Sequence, residues 1–375
     1  MKENEPTITR MTLAGTAPEE FGASSKRFRS AINTIKFSKD GNYCALGTTS
    51  KLLCLFNPYR GRMLQKFQAH GLDVVSVDCS SDNGNLISGS KDMSCIFWDV
   101  ETAKTLRRFR EHRAPVTRVL FPGVTSTVCI TGSLDTCVRI FDTESRNQNK
   151  PIQEMNHATD AITGLASKRH YIASGSADGI VRVYDIRKGQ LASVDLAGGT
   201  ISSLALSHDC ESVLVNFHGD DGSGNKYNVS DGISKTGSIK LVDLLTVNSS
   251  EPTVLQSVSD MHKNMQFQQD CCFNGKQEDH ILAGSDDGHV FRWNILQPQT
   301  SFQKIKLGDG KNPITSVCNH PVKPGKFLAT GPDAFYLVED DIDENMLLDA
   351  DIRTENSTTN KKRALEREYL PGAYL

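Results

Sequence analysis

The chain has 375 residues, of which 42 are lysine or arginine and 45 are aspartate or glutamate, giving a formal net charge of −3. This balance gives no electrostatic reason to expect a protein that neutralises many phosphates along a nucleic acid. Hydrophobic residues make up 38% of the chain, which excludes a broadly disordered protein. The longest apolar runs, such as residues 52–56, are far shorter than the roughly 20 residues of a spanning helix, so no membrane span is predicted.

The N-terminus and the cysteines bear on where the protein works. MKENEPTITRM lacks the apolar stretch of a secretory signal, so we expect a protein of the cytoplasm and nucleus. The ten cysteines include no Cys-x-x-Cys pair and sit mostly among apolar neighbours, where a reduced thiol behaves as a small hydrophobe. Neither disulfides nor zinc are expected, and nothing in the sequence indicates another metal or a cofactor.

A repeat dominates the middle of the chain. LISGSKDMSCIFWDV (86–100) recurs as CITGSLDTCVRIFDT (129–143), YIASGSADGIVRVYDI (171–186) and ILAGSDDGHVFRWNI (281–295). In each copy an aspartate precedes an aromatic residue by six positions: Asp92 and Trp98, Asp135 and Phe141, Asp178 and Tyr184, Asp287 and Trp293. Ser50 and Thr236 replace the aspartate in two weaker copies that keep the phase. The constant spacing predicts one repeated hairpin with a period near 43 residues.

Each period contains short segments with period-two alternation, separated by turns rich in Gly, Asn and Asp, which predicts four antiparallel strands per unit. Units end near residues 67, 109, 154, 196, 258 and 305. A seventh unit supplies three strands at 314–318, 327–330 and 335–338. The N-terminus is expected to supply the fourth, since sharing one sheet between the chain ends removes an open edge. Residues 7–13 are favoured over 26–30 for their β-branched alternation.

Four-stranded units of 40–45 residues that end in Trp-Asp-like pairs resemble the WD40-repeat family. The resemblance implies an all-β, seven-bladed WD40 β-propeller over residues 26–340, with an insertion at 219–235. Residues 1–25 form an N-terminal extension, part of which closes blade seven. The tail, 341–375, is first acidic and then basic, and is expected to be disordered.

Recurring polar residues have a structural interpretation in this family. The resemblance implies buried tetrads of His, Ser or Thr, Asp and an aromatic residue: His70, Ser88, Asp92 and Trp98 in blade two; His112, Thr131 and Asp135 in blade three, with Phe141 in place of Trp; His157, Ser174, Asp178 and Tyr184 in blade four; His262, Asp287 and Trp293 in blade six, where Ala283 takes the hydroxyl position. A catalytic site would be needed only once, whereas these residues recur at the same position of the repeat, which favours a structural role. No catalytic, cofactor-binding or metal-binding residues are predicted, and the protein is not expected to be an enzyme.

Several segments permit a closer comparison. Residues 40–61, 71–100, 178–191 and 264–296 resemble the mitogen-activated protein kinase organizer family, a group of WD-repeat scaffolds. Its less generic features here are Asn57-Pro58 with Arg60-Gly61, Asp185-Ile186-Arg187 with Gly189-Gln190, and Gln269-Asp270-Cys271-Cys272. The resemblance implies a scaffold that gathers kinase-cascade components and is found with spliceosomes during pre-mRNA splicing. The expected partners are therefore proteins, either splicing factors or kinase-cascade components, and no small-molecule substrate is expected.

The sequence leaves open which residues contact partner proteins and whether the protein also contacts RNA. The partner contacts predicted by position, from loops beside the tetrads, are Asp73, Lys91, Arg113, Leu134, Asp160 and Asp286. Basic clusters lie at 26–29, 107–113 and 361–363. We interpret them as solvent-exposed surface, and the alternative interpretation is that they contact RNA. An RNA-contacting propeller and a ubiquitin-ligase substrate adaptor are thus the alternative functions.

Overall fold

A computed structural model describes residues 6–12, 30–123, 127–145, 150–196, 199–218, 237–244, 253–258, 262–264, 269–275, 278–297, 301–308, 310 and 312–339. The predicted insertion at 219–235, the tail at 341–375 and most of the N-terminal extension lie outside the described residues. The repeat lies within one compact unit, Ile8–Val338.

The described secondary structure consists of 28 strands, as follows. In chain order they are β1 (Thr7–Met11), β2 (Ile32–Phe37), β3 (Cys44–Thr48), β4 (Leu52–Asn57), β5 (Arg62–Gln68), β6 (Val74–Cys79), β7 (Asn85–Ser90), β8 (Cys95–Asp99), β9 (Thr105–Phe109), β10 (Val116–Leu120), β11 (Val128–Ser133), β12 (Val138–Asp142), β13 (Gln153–Met155), β14 (Ile162–Lys168), β15 (Tyr171–Ser176), β16 (Ile180–Asp185), β17 (Gly189–Asp195), β18 (Thr200–Leu206), β19 (Ser212–His218), β20 (Ser238–Asp243), β21 (Val254–Val258), β22 (Cys271–Asn274), β23 (His280–Gly284), β24 (His289–Asn294), β25 (Phe302–Lys306), β26 (Ser316–Asn319), β27 (Lys326–Thr330) and β28 (Phe335–Glu339).

These strands form seven four-stranded sheets. Six are built from four consecutive strands, from β2-β3-β4-β5 to β22-β23-β24-β25, and we number them blades one to six. The seventh has the order β1-β28-β27-β26, so the N-terminal strand Thr7–Met11 is its outer strand. The first strands of successive blades contact one another, and β26 contacts β2. The predicted all-β, seven-bladed propeller is confirmed. No described helix is long and apolar enough to cross a membrane.

Packing between blades explains which strands are apolar. The second strand of a blade is sandwiched between neighbours and is buried almost throughout, as in β3 and β7, whereas the outer strand β5 alternates between exposed and covered positions. The aromatic residue of each repeat fills the interface with the preceding blade. Trp98 packs edge-on against Phe67 of blade one, with 5.6 Å between ring centroids. Each blade therefore depends on its neighbour for a complete core.

The turn between the second and third strands keeps one geometry in five of the blades. The residue after the aspartate position adopts a left-handed conformation in five blades, with φ between 65° and 82° in Lys51, Met93, Thr136, Gly179 and Gly288. Lys51 follows Ser50, which replaces the aspartate. The backbone of this turn is thus kept in blade one without the carboxylate, as the phase of the sequence repeat predicted.

Side chains of the inner strands connect each blade to the next. Asn33 Nδ2 of blade one donates to Val74 O of blade two (2.9 Å), and Ser76 Oγ of blade two accepts from Val119 N of blade three (3.0 Å). Equivalent bonds continue around the ring through Thr117 to Ile162 O (2.6 Å), Thr163 to Ile201 O, Ser202 to Gln269 O (2.7 Å) and Ile35 N to Ser316 Oγ (3.5 Å). They satisfy backbone groups that face away from the sheet ladders.

Arg118 of β10 crosses this inner surface. Its Nε donates to Thr163 O in blade four (2.9 Å), and its Nη2 donates to Ser202 O in blade five (3.3 Å) and pairs with Asp270 Oδ1 in blade six (2.7 Å). The other oxygen of Asp270 accepts from Ser316 Oγ in blade seven (2.7 Å). One ion pair therefore ties together five of the seven blades.

Candidate protein-docking face

The loops that enter each blade and the turns between its second and third strands lie at one end of the propeller. Because the four strands of a blade alternate in direction, the start of the first strand and the end of the second strand lie at the same end of the blade. We call this end the histidine face. The positions predicted for the tetrads lie beneath its loops.

Blade two contains a complete tetrad. Trp98 Nε1 donates to Ser88 Oγ (2.8 Å), which leaves the Ser88 hydroxyl to donate to His70 Nε2 (2.8 Å). His70 Nδ1 then carries the proton and donates to Asp92 Oδ2 (3.1 Å). Burial opposes ionisation of Asp92, but bonds from His70, Ser94 and the Gly71 amide lower its pKa well below the usual value. The carboxylate stays charged and holds the turn.

Blade three keeps three members and adds an arginine. His112 contacts Asp135 Oδ2 through Nδ1 (3.0 Å) and Thr131 Oγ1 through Nε2 (2.7 Å), while Phe141 is buried and packs edge-on against the imidazole. Arg139 Nη1 also pairs with Asp135 Oδ2 (2.6 Å). Burial opposes ionisation of Asp135, yet the bonds from His112, the Arg113 amide and Arg139 lower its pKa.

Blade four differs from the predicted tetrad. Ser174 and Tyr184 are buried, but His157 is exposed, lies against the Tyr184 ring and makes no hydrogen bond to Asp178 in the described part of the chain. Asp178 Oδ2 instead pairs with Arg182 Nη2 (2.8 Å) and accepts from Thr159 Oγ1 (2.9 Å). A nearby guanidinium supplies the donors that the histidine would have provided.

Blade six differs in another way. His262 is fully buried and packs edge-on against Trp293, but its Nε2 contacts Asn216 Oδ1 of blade five (3.2 Å) instead of a group in its own blade. Among the described residues its Nδ1 has no hydrogen-bond partner. Asp287 pairs with Lys304 (3.0 Å) and His289 (3.1 Å) nearer the surface. With Ala283 in the hydroxyl position, the histidine and the aspartate of this blade are separated.

The burial of His262 predicts a pH dependence of stability. Burial outweighs the nearby Asp287 carboxylate and lowers the pKa of His262 to about 4. An unfolded histidine titrates near 6.5, so the unfolded state binds more protons between these values and stability falls as pH decreases from about 6.5 to 4. The difference of about 2.5 units corresponds to roughly 3 kcal/mol. We expect His262→Gln to flatten this part of the stability profile, measured by urea unfolding at several pH values.

The control for this experiment is an exposed histidine. His208→Gln removes an exposed imidazole and should leave the acid slope as in the wild type. An unchanged slope in His262→Gln would show that other groups cause the acid sensitivity.

The loops of the histidine face are held by repeated bonds. In blade two Gly71 N donates to Asp92 Oδ2 (2.7 Å), and Lys91 N donates to Asp73 O (3.0 Å). The same pairing recurs between Leu134 N and Pro115 O (3.0 Å), between Ala177 N and Ala161 O (2.9 Å), and between Asp286 N and Lys263 O (2.8 Å). The face is therefore organised before any partner binds, which reduces the entropic cost of binding.

The six residues predicted as partner contacts fall into three groups. Arg113, Leu134 and Asp160 are exposed at the histidine face. Lys91 and Asp73 also lie there but pair with each other (2.8 Å). Asp286 is half-buried and its Oδ1 accepts from the buried Gln269 Nε2 (2.7 Å), and its role as a partner contact stays a prediction. The carboxylate is used within the fold.

Sequence reasoning missed two features of this face. Leu72 and Met93 of blade two are large apolar residues with 48% and 45% of their surface exposed, and Leu134 of blade three is exposed at 43%. Arg139 and Arg182 were not assigned to the tetrads, although both stand four residues after the aspartate in blades that lack Trp. That shared spacing is the signal that would have identified them.

The fold and the histidine face define a scaffold-type β-propeller, in which rigid loops present side chains to other proteins. No group of three or more His, Cys, Asp or Glu residues in the described part of the chain is placed to hold a metal ion.

Comparisons with known proteins agree with this class. The sequence model of the family described as WD domain, G-beta repeat matches residues 61–99, 103–142 and 149–185. The rat WD repeat domain-containing protein 83 is 32% identical over 310 residues, covering 83% of this chain and 89% of the relative. Its Dictyostelium discoideum homolog is 24% identical over 332 residues, covering 81% and 92%. The chain belongs to the WD40-repeat family, whose β-propellers are generally non-catalytic scaffolds.

A more distant relative has an RNA-related name. The U3 small nucleolar RNA-associated protein 15 homolog of Xenopus tropicalis is 26% identical over 208 residues, which covers 55% of this chain and 40% of the relative. The similarity thus extends over part of the propeller.

Proposed function

We propose that this protein is a non-catalytic scaffold of the cytoplasm and nucleus that assembles components of pre-mRNA splicing complexes or of a mitogen-activated protein kinase cascade. The observation that carries the proposal is the histidine face, where hydrogen-bonded loops present apolar and charged side chains together. The resemblance of segments such as Asn57-Pro58 with Arg60-Gly61 to the mitogen-activated protein kinase organizer family supports the choice of partners.

The chemistry of the histidine face suits a protein partner. Leu72, Met93 and Leu134 provide exposed apolar surface, and Arg113 and Asp160 provide charges of both signs nearby on the same face. Apolar anchors surrounded by polar groups are typical of protein interfaces, where a few side chains carry most of the binding energy.

Affinity purification tests the proposal. The tagged wild type is used to enrich partners from nuclear and cytosolic extracts, and the expected result is retention of splicing factors or kinase-cascade components. Leu72→Asp with Leu134→Asp should release them, since two charges are placed in the apolar part of the face. The control is Leu296→Asp with Val322→Asp, which places the same two charges at more exposed apolar residues (81% and 66%) at the opposite end of the propeller.

The outcome separates the proposal from its alternatives. Enrichment of neither splicing nor kinase components by the wild type would reject the proposed function. A ubiquitin-ligase substrate adaptor would instead retain ligase subunits.

Direct RNA binding is the second candidate, favoured by the similarity to the U3 small nucleolar RNA-associated protein 15 homolog. The basic strand β9 gives it little support, because Arg107 Nη1 donates to Asp142 O (2.9 Å) and Arg108 Nη2 donates to Ala69 O. Both guanidinium groups are thus engaged within the fold. Binding to phosphates would weaken steeply between low and physiological salt, which a filter-binding titration measures.

A further inference from the structure

A cavity of about 390 Å³ lies between blades one and two, at the end of the propeller opposite the histidine face. Its apolar walls are formed by Tyr43, Leu55, Leu64, Leu86 and Val100. Pockets that bind ligands begin at about 300 Å³ and are lined mainly by apolar side chains with a few polar groups. We call this cavity the blade-one cleft.

The charged residues that line the blade-one cleft are both arginines. Arg60 and Arg62 are exposed, and neither guanidinium has a carboxylate partner among the described residues. The amide oxygens in the lining are already used: Asn57 Oδ1 accepts from the backbone, and Asn83 Oδ1 accepts from Lys39 N (2.7 Å). The cleft therefore offers an apolar interior with two positive charges that have no counter-charge in the described fold.

The turn that carries Arg60 is held in one conformation. Asn57 Oδ1 accepts from the amides of Tyr59 (3.1 Å) and Arg60 (3.0 Å). The Tyr59 hydroxyl donates to Gly41 O (2.9 Å) and contacts His320 Nε2 of blade seven (2.9 Å). This turn is the Asn57-Pro58 and Arg60-Gly61 segment, and the tetrads have no part in it.

His320 connects the turn to blade seven. Its Nδ1 accepts from the amides of Val322 (3.0 Å) and Lys323 (2.8 Å), so the proton lies on Nε2 and is donated to the Tyr59 hydroxyl. Burial and the nearby Lys323 lower the pKa of His320, which keeps the ring in this neutral form. A Cβ on Gly41 would stand 2.2 Å from His320 Cε1, so the packing requires glycine at this position. Three loops from two blades thus hold the arginine turn.

We propose that the blade-one cleft binds an acidic peptide segment of a partner protein, with one bulky apolar side chain in the cavity and carboxylates against Arg60 and Arg62. The proposal rests on the scaffold function above and specifies a second site for it. The two arginines favour acidic residues on either side of the apolar side chain, and the apolar walls of the cleft favour that side chain itself. RNA is disfavoured, because a base has few free polar partners in a lining whose amide oxygens are already bonded.

A second site has a consequence for the scaffold. The histidine face and the blade-one cleft open at opposite ends of the blades, so two partners can bind without competing for the same surface. Linking two binding events through one rigid body raises the effective concentration of each partner near the other.

Fluorescence polarisation on the full chain tests the proposal with three labelled peptides. The first has a central leucine flanked by glutamates, the second has serine in place of the leucine, and the third has lysines in place of the glutamates. We expect the first peptide to bind about tenfold more tightly than either of the others at low salt. Arg60→Gln with Arg62→Gln should weaken it about tenfold, and Leu64→Ser should weaken it without affecting the serine peptide.

The matched control is Arg187→Gln with Lys188→Gln, which removes the same charge from the corresponding turn of blade four. Equal binding of the three peptides, equal binding to the arginine variant, or tighter binding of a uridine oligonucleotide would overturn the proposal. The scaffold function can survive that result, since its own test depends on Leu72 and Leu134. Conversely, a wild type that enriches no splicing or kinase component would reject the scaffold function even where the first peptide binds.

Discussion

Replacing Arg118 with methionine is expected to lower the free energy of unfolding by about 3–5 kcal/mol, the usual cost of removing one partner of a buried ion pair. Arg118 and Asp270 have 16% and 11% of their side-chain surface exposed, so the variant leaves a nearly buried carboxylate without its main counter-charge. It also removes the donors to Thr163 O and Ser202 O. Urea unfolding followed by tryptophan fluorescence measures the change.

Two further variants show whether the ion pair is the cause. Arg118→Met combined with Asp270→Asn should lose less stability than Arg118→Met alone, because no unpaired charge remains. Arg110→Met removes an exposed arginine and should stay within about 0.5 kcal/mol of the wild type. A loss below about 1 kcal/mol for Arg118→Met would show that the ring does not depend on this contact.

Asp92→Ala is expected to cost about 2–4 kcal/mol, because it removes the acceptor for the Gly71 amide (2.7 Å), the Ser94 hydroxyl (2.6 Å) and His70 Nδ1 (3.1 Å). The pKa of Asp92 is lowered in the folded state. Its contribution is therefore present above the ordinary aspartate pKa of about 3.9 and is lost as pH falls below it. The urea midpoint at pH 7 and at acid pH measures both effects.

Asp287→Ala is the matched comparison, since it changes the same position of the repeat in blade six. Its carboxylate meets Lys304 and His289 with 24% of the side chain exposed, and His262 does not bond to it. We expect a loss of about 1 kcal/mol or less, in the range of surface ion pairs. Equal losses of stability in the two variants would show that the Asp92 network of blade two is no stronger than the surface ion pairs of Asp287 in blade six.

The candidate sites show where sequence reasoning reaches its limit. The tetrad of blade two follows the spacing of the repeat, because all four side chains come from one hairpin and from the loop that enters the same blade. In blade four the same spacing placed His157 with Asp178, but Arg182 occupies that position. A guanidinium four residues after an aspartate lies on the same face of a strand and turn, so it competes for the carboxylate directly.

The blade-one cleft could not be predicted from its residues. Asn57, Arg60 and Gly61 stand out in the sequence as an unusual segment, yet the contact that organises them joins Tyr59 to His320, which is 261 residues away. A contact between residues so far apart in the sequence depends on closure of the ring, which places blade seven beside blade one.

The sequence by itself determined four strands per unit and the seven-bladed ring, and it favoured residues 7–13 over 26–30 as the strand that completes the seventh sheet. These features arise from period-two alternation, turn residues and a fixed repeat length, all of which act over a few residues. Only the tertiary structure decided that the Arg118–Asp270 pair joins five blades, that His262 contacts Asn216 and that Arg60 borders an apolar cleft. Those contacts form between side chains from different blades, where packing and charge in three dimensions select the partner.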